Sequence, residues 1–593
     1  MCGINLLIRK DDLTSGIQQM MQATAHRGPD HSDFYVHKEH IAFAGNRLKI
    51  LDMSDASNQP FWSDDRQQVL IWNGALYNYQ DLRNHLLDAG FVFKTNSDTE
   101  VLLYWLIHKG VDGLQDCRGM FALAFIDFSI ERVIILRDFS GEKPLYYWNQ
   151  GNEWIFSSEQ RGILAAMTKK PMIDATQVEA FLTLRHTLPN HGFFDGIAQV
   201  LPGCGLVITF EGNIHKWIEL PKQSYTEERN QSTFEDLLKD SILHNFHTER
   251  AVGMVLSGGI DSSLLYALWY EETMQPMPTF TATFEQRYQR KYRDPVYVEK
   301  LQSSYPSLHH PILITLSKVQ EAWNDYITQL DMPIGDSASL LTWMIAKEAS
   351  KDVQVLISGA GADELFGGYT RHAAFIRYLK RPKLYLAMKR FLPVFGNFRL
   401  VNKFFTALDP SAVKTFIHMA AVEKPSDNLM KKLISSYPEG PDVYKSALDW
   451  DRQVYLVNDI LKIHDNACMA HGIEGRAPYL SQELISLSQS MTEQEHLQQV
   501  GKVWLKEALN KRGLRVIANR KKLGFGLPLQ EWMQNKEFQH WVFSEIRTLG
   551  ALWEPFFPEQ FRRFVVQPEQ IPNHQFLTVW NLFTLLSWLH KHA

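Results

Sequence analysis

A cysteine stands directly behind the initiator methionine in MCGINLL. With Met1 removed, Cys2 would carry a thiol and the chain's own α-amine on one residue, with reference pKa values of roughly 8.5 and 7.7–8.0. A nucleophile so placed has its general base built in; a small, easily processed second residue is the plain alternative. A second candidate lies in AVGMVL-SGGIDSS-LLYALWYEE, which reads as strand, glycine loop and helix. Gly258 and Gly259 let the backbone approach a ligand closely, and the helix start offers unpaired N–H groups to an anion, so the loop predicts a phosphate site. It is not a Walker A loop, because GxxxxGK[ST] needs a lysine that is absent here. A third stretch, VQVLISGAGADELFGGY, ends another strand in a glycine loop with Asp363 and Glu364 at its tip. A carboxylate there can meet Asp261 across the crevice where nucleotides bind, and Asp261 with Asp363 could then hold Mg²⁺ against phosphates.

Positioning these residues takes at least two domains, because 593 residues exceed what one hydrophobic core supports. Hydrophobic residues at 45% and charged residues at 21% describe a folded globular chain, and a net charge of −5 argues against bulk affinity for nucleic acid. The four cysteines form no CxxC pair and no zinc spacing, which points to a reducing compartment, the cytoplasm. No signal peptide is read, since the short apolar start runs into Arg9, Lys10, Asp11 and Asp12. The tail FLTVWNLFTLLSWLHKHA, broken by Asn581, Thr584 and Ser587, is short for a membrane span and predicts a terminal helix docked on a core. Up to about residue 220, short strand-like runs such as HIAFAGNRLKIL, QVLIWNGALYN, FALAFID, RVIILRD and GLVITF predict an antiparallel, sandwich-like domain. From about residue 232, helices alternate with the compact apolar strands AVGMVL, TFTATF and VQVLIS, the pattern of a parallel sheet wrapped by helices. The polar stretch ELPKQSYTEERNQST is the predicted linker, giving domains 1–215 and 232–593.

The Ser-Gly-Gly-x-Asp-Ser loop resembles those of enzymes that cleave ATP to AMP and pyrophosphate. The whole chain, moreover, resembles the glutamine-hydrolysing asparagine synthetases. Cys2-Gly3-Ile4, HRGPD from His26, GNRLKILD from Gly45, WNGALYNY from Trp72, SDTEVLLY from Ser97 and RDFSGEKPLYY from Arg137 are similar to their amidotransferase domain with an N-terminal nucleophile. SGGIDSS, SGAGADELFGGY, DILKIHDNACMAHGIEGRAPYL and RKKLGFGLP are similar to their ATP-pyrophosphatase-type synthetase domain. The implied fold is an N-terminal antiparallel β-sandwich with helices followed by an α/β parallel sheet with many helices.

The resemblance implies roles. Cys2 would attack the glutamine amide with its α-amine as base, and Asn73 with the Gly74 N–H would form the oxyanion hole. Arg47 would fork onto the glutamine carboxylate and Asp98 would hold its α-ammonium. Ammonia would then travel internally to the second site. There Ser257, Gly258, Gly259, Asp261 and Ser262, with Ser358 and Gly359, would bind ATP, while Leu256 and Ala282 flank the adenine. Asp261 and Asp363 would carry Mg²⁺, and Lys522 would neutralise the departing pyrophosphate. The implied partners are glutamine, ATP and a carboxylate acceptor, with no nucleic acid, no transmembrane segment and homodimerisation left open.

Three departures bear on the substrate. Ala75 stands where the family reads the glutamate of NGEIYN, Ala360 where its SGxG loop usually carries an acid, and Ser481 where it favours Asp. Ala75 removes one charged hydrogen bond to the glutamine ammonium, and Ala360 removes an acid that supports aspartyl-adenylate chemistry. Besides asparagine formation, the sequence therefore leaves open amidation of another acid, such as a uronic acid in surface polysaccharide. It also leaves open a ligase or cyclase of the β-lactam or lasso-peptide kind, against which Cys2, Arg47, Asn73 and Asp98 argue. A non-catalytic scaffold is opposed by Asp261, Asp363 and Lys522. From Arg371 to Lys403 nine Lys or Arg residues occur without an acid; solvated cationic helices are the plain reading, an anionic-acceptor surface the sharper one.

Overall fold

The computed structural model describes residues 2–38, 40–221, 225–389 and 399–593. Strands β1 (Cys2–Ile8), β2 (His31–His37), β3 (Ile41–Arg47), β4 (Phe61–Trp62), β5 (Gln68–Leu76), β6 (Gly119–Asp127), β7 (Arg132–Arg137), β8 (Tyr146–Gln150), β9 (Glu153–Ser157), β10 (Ile197–Gln199), β11 (Cys204–Thr209) and β12 (Ile214–Glu219) occupy the first part of the chain. They make two six-stranded sheets, β10-β8-β9-β1-β3-β2 and β12-β11-β7-β6-β5-β4, in which neighbouring strands pair antiparallel. Because successive side chains point to opposite faces, Ile4, Leu6 and Ile8 of β1 meet Val69 and Ile71 of β5 in the core between the sheets. The outer faces are covered as well. The helix Leu13–Ala23 lays Ile17 and Met20 into a core with Leu7, and the helix Asp98–Lys109 packs Val101, Leu102 and Trp105 over Trp72 and Leu123. Cys2, at the start of a strand buried along its whole length, is thereby held rigid.

Strands β13 (Val252–Val255), β14 (Pro278–Phe284), β15 (Leu308–Ile314), β16 (Val355–Ile357) and β17 (Glu474–Arg476) form one parallel sheet in the order β15-β14-β13-β16-β17. Loops leaving the carboxyl ends of β13 and β16 lie side by side, the usual place for a ligand in such sheets. The terminal helix Phe576–His592 is docked as the sequence predicts, and its polar Asn581 and Thr584 are buried rather than turned to water. Among the described residues no helix is long and apolar enough to cross a membrane.

The basic stretch splits into the helices Thr370–Lys380, Pro382–Lys389 and Arg399–Ala407, while Arg390, Phe391 and Leu392 lie outside the described residues. Its first member is no solvated charge: Arg371 donates from Nε to buried Asp451 at 2.9 Å. Ser481 caps the helix Gln482–Ser490, accepting from Leu484 N–H at 3.3 Å, so it fills a role an aspartate fills equally well.

Candidate active sites

Cys2 lies opposite Arg47 in the β1–β3 register, and its backbone N–H donates to Asn73 Oδ1 across the sandwich at 3.0 Å. Asn73 is fully buried, and its Nδ2 finds no acceptor among the described residues. A buried amide donor left open beside a thiol is equipped to receive a developing oxyanion. Gly74 follows on β5, where a Cβ would fall 2.2 Å from the Met120 carbonyl oxygen; the close approach of β6 requires glycine. Gln59, which the sequence analysis missed, donates from Nε2 to Cys2 Sγ at 3.5 Å while its Oε1 accepts from Trp72 N–H at 2.7 Å.

Asp98 begins a helix capped by Ser97, and its Oδ2 accepts from Leu76 N–H at 3.1 Å. Arg47 departs from the implied geometry. Its Nη1 donates to Ser54 O and Asn58 Oδ1, both at 2.9 Å, and its Nη2 to Leu51 O and Asp52 O at 3.2 and 2.6 Å, so the fork grips the loop 51–58. Cys2, Arg47, Gly74, Ala75 and Asp98 line one cavity, and Glu474 and Arg476 enter it from β17. Burial pushes the Cys2 thiol above its ordinary pKa, Glu474 adding to the rise while the Leu48 N–H and Arg47 oppose it. Such a thiol stays protonated at neutral pH until a base takes its proton. Burial also lifts Asp98 to about 6, again with Glu474 contributing and Leu76 N–H, Arg476 and Arg47 opposing.

The second site is built at the strand ends of the parallel sheet. Gly258 has φ +60° and a Cβ there would fall 2.8 Å from Asp294 O, so both the turn and its packing demand glycine. Gly259 caps the helix Ile260–Thr273 without a side-chain acceptor, leaving the first-turn N–H groups to an anion. Ser257 and Ser262 close the loop through a 3.1 Å hydroxyl contact, and Arg520, also missed, donates to Ser257 O and Gly258 O at 3.2 and 2.5 Å. Leu256, directly after β13, and Ala282 on the neighbouring β14 are buried and tied by the Thr281 hydroxyl donating to Leu256 O. Ser358 and Gly359 leave β16 so close that a Cβ on Gly359 would lie 3.1 Å from Asp261 Cβ.

Asp261 and Asp363 converge on one ammonium: Lys502 Nζ lies 2.5 Å from Asp261 and 2.7 Å from Asp363. Lys522 Nζ also pairs with Asp363 and reaches Gly368 O at 3.3 Å. Lys502 escaped the sequence analysis; its signal is a Gly-Lys step before a helix, with Lys502 itself in the left-handed region at φ 65°. Burial disfavours charge on both carboxyls. At Asp363 the two lysines outweigh it and hold the pKa below the usual range, whereas at Asp261 burial prevails, reinforced by Asp363 and opposed by Lys502. Among the described residues no three His, Cys, Asp or Glu gather as a metal cage. Two carboxylates able to share one cation nonetheless suit Mg²⁺, which takes few protein ligands and completes its shell with phosphate oxygens and water.

Buried charges join the two halves of the chain. Arg27, fully buried within HRGPD, donates from Nε to Cys2 O at 3.3 Å and from Nη1 to Glu159 and Asp465 at 2.8 and 2.9 Å. Lys143 Nζ donates to Gly475 O at 3.2 Å.

Residues 1–225 match the model of a glutamine amidotransferase domain, and residues 233–590 match the asparagine synthase model. The chain is similar to glutamine-hydrolyzing asparagine synthetase 1 of Bacillus subtilis (strain 168), 29% identical over 593 residues that cover 92% of this chain and 90% of the relative. It is also similar to glutamine-hydrolyzing asparagine synthetase 3 of the same organism, 30% identical over 394 residues covering 62% and 63% of the two chains.

Proposed function

We propose, on the premise that this chain belongs to the asparagine synthase family, that it releases ammonia from glutamine at Cys2 and passes it to a carboxylate activated by ATP at the strand ends of the parallel sheet. The chain is a glutamine-dependent carbon–nitrogen ligase. The division of labour follows residues 1–215 for hydrolysis and 232–593 for synthesis. The observation that carries the reading is the open Asn73 Nδ2 on the residue that holds Cys2, a donor for the oxyanion beside the nucleophile of an acyl transfer.

At the first site the Cys2 α-amine, freed by loss of Met1, takes the thiol proton, and sulfur attacks the side-chain amide carbon. Asn73 Nδ2 and the Gly74 N–H receive the oxyanion. Ammonia leaves, and water releases glutamate from sulfur. At the second site a carboxylate oxygen of the acceptor attacks the α-phosphorus of ATP and pyrophosphate departs; ammonia then attacks the acyl carbon and AMP departs. Asp261 and Asp363 would hold Mg²⁺, which when bound offsets phosphate charge. Lys522, the more exposed lysine of the cluster, is placed to follow the leaving pyrophosphate.

The relatives' names make L-aspartate the first acceptor to consider. Ala360 supplies no acid, but the short helix Ala362–Leu365 that follows does: buried Glu364, held by Tyr369 at 2.5 Å, has its pKa lifted by burial and by Asp363 to about 7. A carboxyl with that pKa can hold or give a proton at neutral pH. Purified protein with ATP, Mg²⁺ and glutamine should be offered L-aspartate and longer carboxylic acids while pyrophosphate and glutamate are followed together. Release of ADP and phosphate in place of AMP and pyrophosphate would refute adenylation.

A further inference from the structure

Glu474 stands more than two hundred residues beyond the amidotransferase half, yet its side chain lines the same cavity as Cys2, Arg47, Ala75 and Asp98. It is fully enclosed, at 1% exposure. The two-residue period of β17 puts Glu474 and Arg476 on one face, with Gly475 between them. Arg476 Nε donates to Glu474 Oε1 at 2.6 Å, and Arg476 is itself fixed by Nη1 donating to Asn245 O and His247 O at 2.6 and 3.1 Å. The carboxylate therefore has a set aim. Burial opposes its charge, but Arg476 and Lys143 help to draw its pKa down to about 2. Its field reaches both Cys2 and Asp98.

A free amino acid brings an ammonium as well as a carboxylate into this enclosed cavity, and a buried cation needs full compensation. Asp98 lines the same cavity, but one of its oxygens already accepts the Leu76 N–H. Ala75, on the strand that carries Asn73 and Gly74, adds a methyl group and no charge. We propose that Glu474 receives the α-ammonium of glutamine together with Asp98, so that the synthetase half supplies a specificity-determining residue to the glutaminase pocket. The inference rests on the Cys2 site being the glutaminase.

The test compares ammonia release from glutamine and from 4-carbamoylbutanoate, which keeps the amide and the carboxylate but lacks the amine. In the wild type glutamine should be strongly preferred. E474Q should cut kcat/KM for glutamine about tenfold or more, mainly through KM, with a much smaller change for the amine-free amide. Adding A75E in that background should restore much of the preference, because it returns a carboxylate to the cavity from the other wall. E474D keeps the charge and the Arg476 partner but withdraws by one methylene, so a severalfold loss of preference is expected even where E474Q fails to fold. Equal losses for both amides would overturn the inference, since they would mark Glu474 as a partner of Arg476 or of the Cys2 amine only. A wild-type preference retained in E474D would overturn it too. A wild type that hydrolyses neither amide would instead overturn the glutaminase reading on which the inference rests.

Discussion

Around Cys2 the groups that meet the reacting amide are neutral donors and a protonated thiol, each fixed by hydrogen bonds before anything binds. Around Asp261 and Asp363 the same task falls to two carboxylates and two lysines that neutralise one another. The difference follows from what each must handle. An amide is uncharged and develops charge only in the transition state, where preorganised dipoles act best. A nucleotide is a polyanion, so a site for one needs charges that can exchange partners: phosphate would replace carboxylate on the lysines, and a metal ion would replace lysine on the carboxylates. Rigid dipoles and exchangeable ions are thus two solutions within one chain.

Removing the nucleophile should produce the largest break. Cys2→Ala should lower glutamine-dependent product formation by about 10⁴-fold or more while ammonia still supports synthesis. Equal loss with both nitrogen donors, measured by product formation, would erase the contrast between the sites. Next come the supporting groups. Asn73→Ala should lower glutamate release, and Lys522→Ala pyrophosphate release, each by about 10²- to 10³-fold, with the opposite site largely spared. A pH profile sharpens the contrast at about tenfold per unit. Asp98 must be ionised to hold an ammonium, and its pKa is lifted to about 6, so kcat/KM for glutamine, already falling where the Cys2 α-amine protonates, should fall more steeply as pH drops below that value. Ammonia-dependent pyrophosphate release, which does not use Asp98, should lack that particular limb when total ammonia is corrected to its unprotonated form. The smallest effect is expected at Ala360→Glu, where aspartate-dependent pyrophosphate release should rise severalfold, about 1 kcal/mol of added transition-state stabilisation. A variant slower on every acceptor would show a pocket already shaped without that acid.

The sequence was most legible where chemistry is local. SGGIDSS predicts its own turn, because Gly258 has to adopt a positive φ and the helix start follows immediately. Strands such as QVLIWNGALYN and RVIILRD announce themselves by apolar, β-favouring residues. The edge strand LHHPILI hides behind two histidines and Pro311, which an edge position tolerates. β17 is three residues long and bears two charges that only a buried ion pair explains. Lys502, Arg520 and Glu474 were invisible for a shared reason: each serves a loop or pocket formed by residues hundreds of positions earlier, and no local period records such a meeting. The grip of Arg47 on the loop 51–58 likewise depends on carbonyls whose direction only the folded backbone sets.

Arg27 has a consequence for the order in which the protein is made. Its guanidinium holds the Cys2 carbonyl and is compensated by Glu159 together with Asp465, so part of the nucleophile's scaffold is encoded near the end of the message. A ribosome that has released the first 225 residues has exported every sandwich strand but only one of the two carboxylates that Arg27 needs. Until residue 465 emerges, that charge has to keep water around it, and the peptide beside Cys2 lacks its final support. Nascent chains stalled before residue 465 should accordingly hydrolyse glutamine far more slowly than full-length chains. Translation itself would then withhold ammonia release until the half that consumes the ammonia exists.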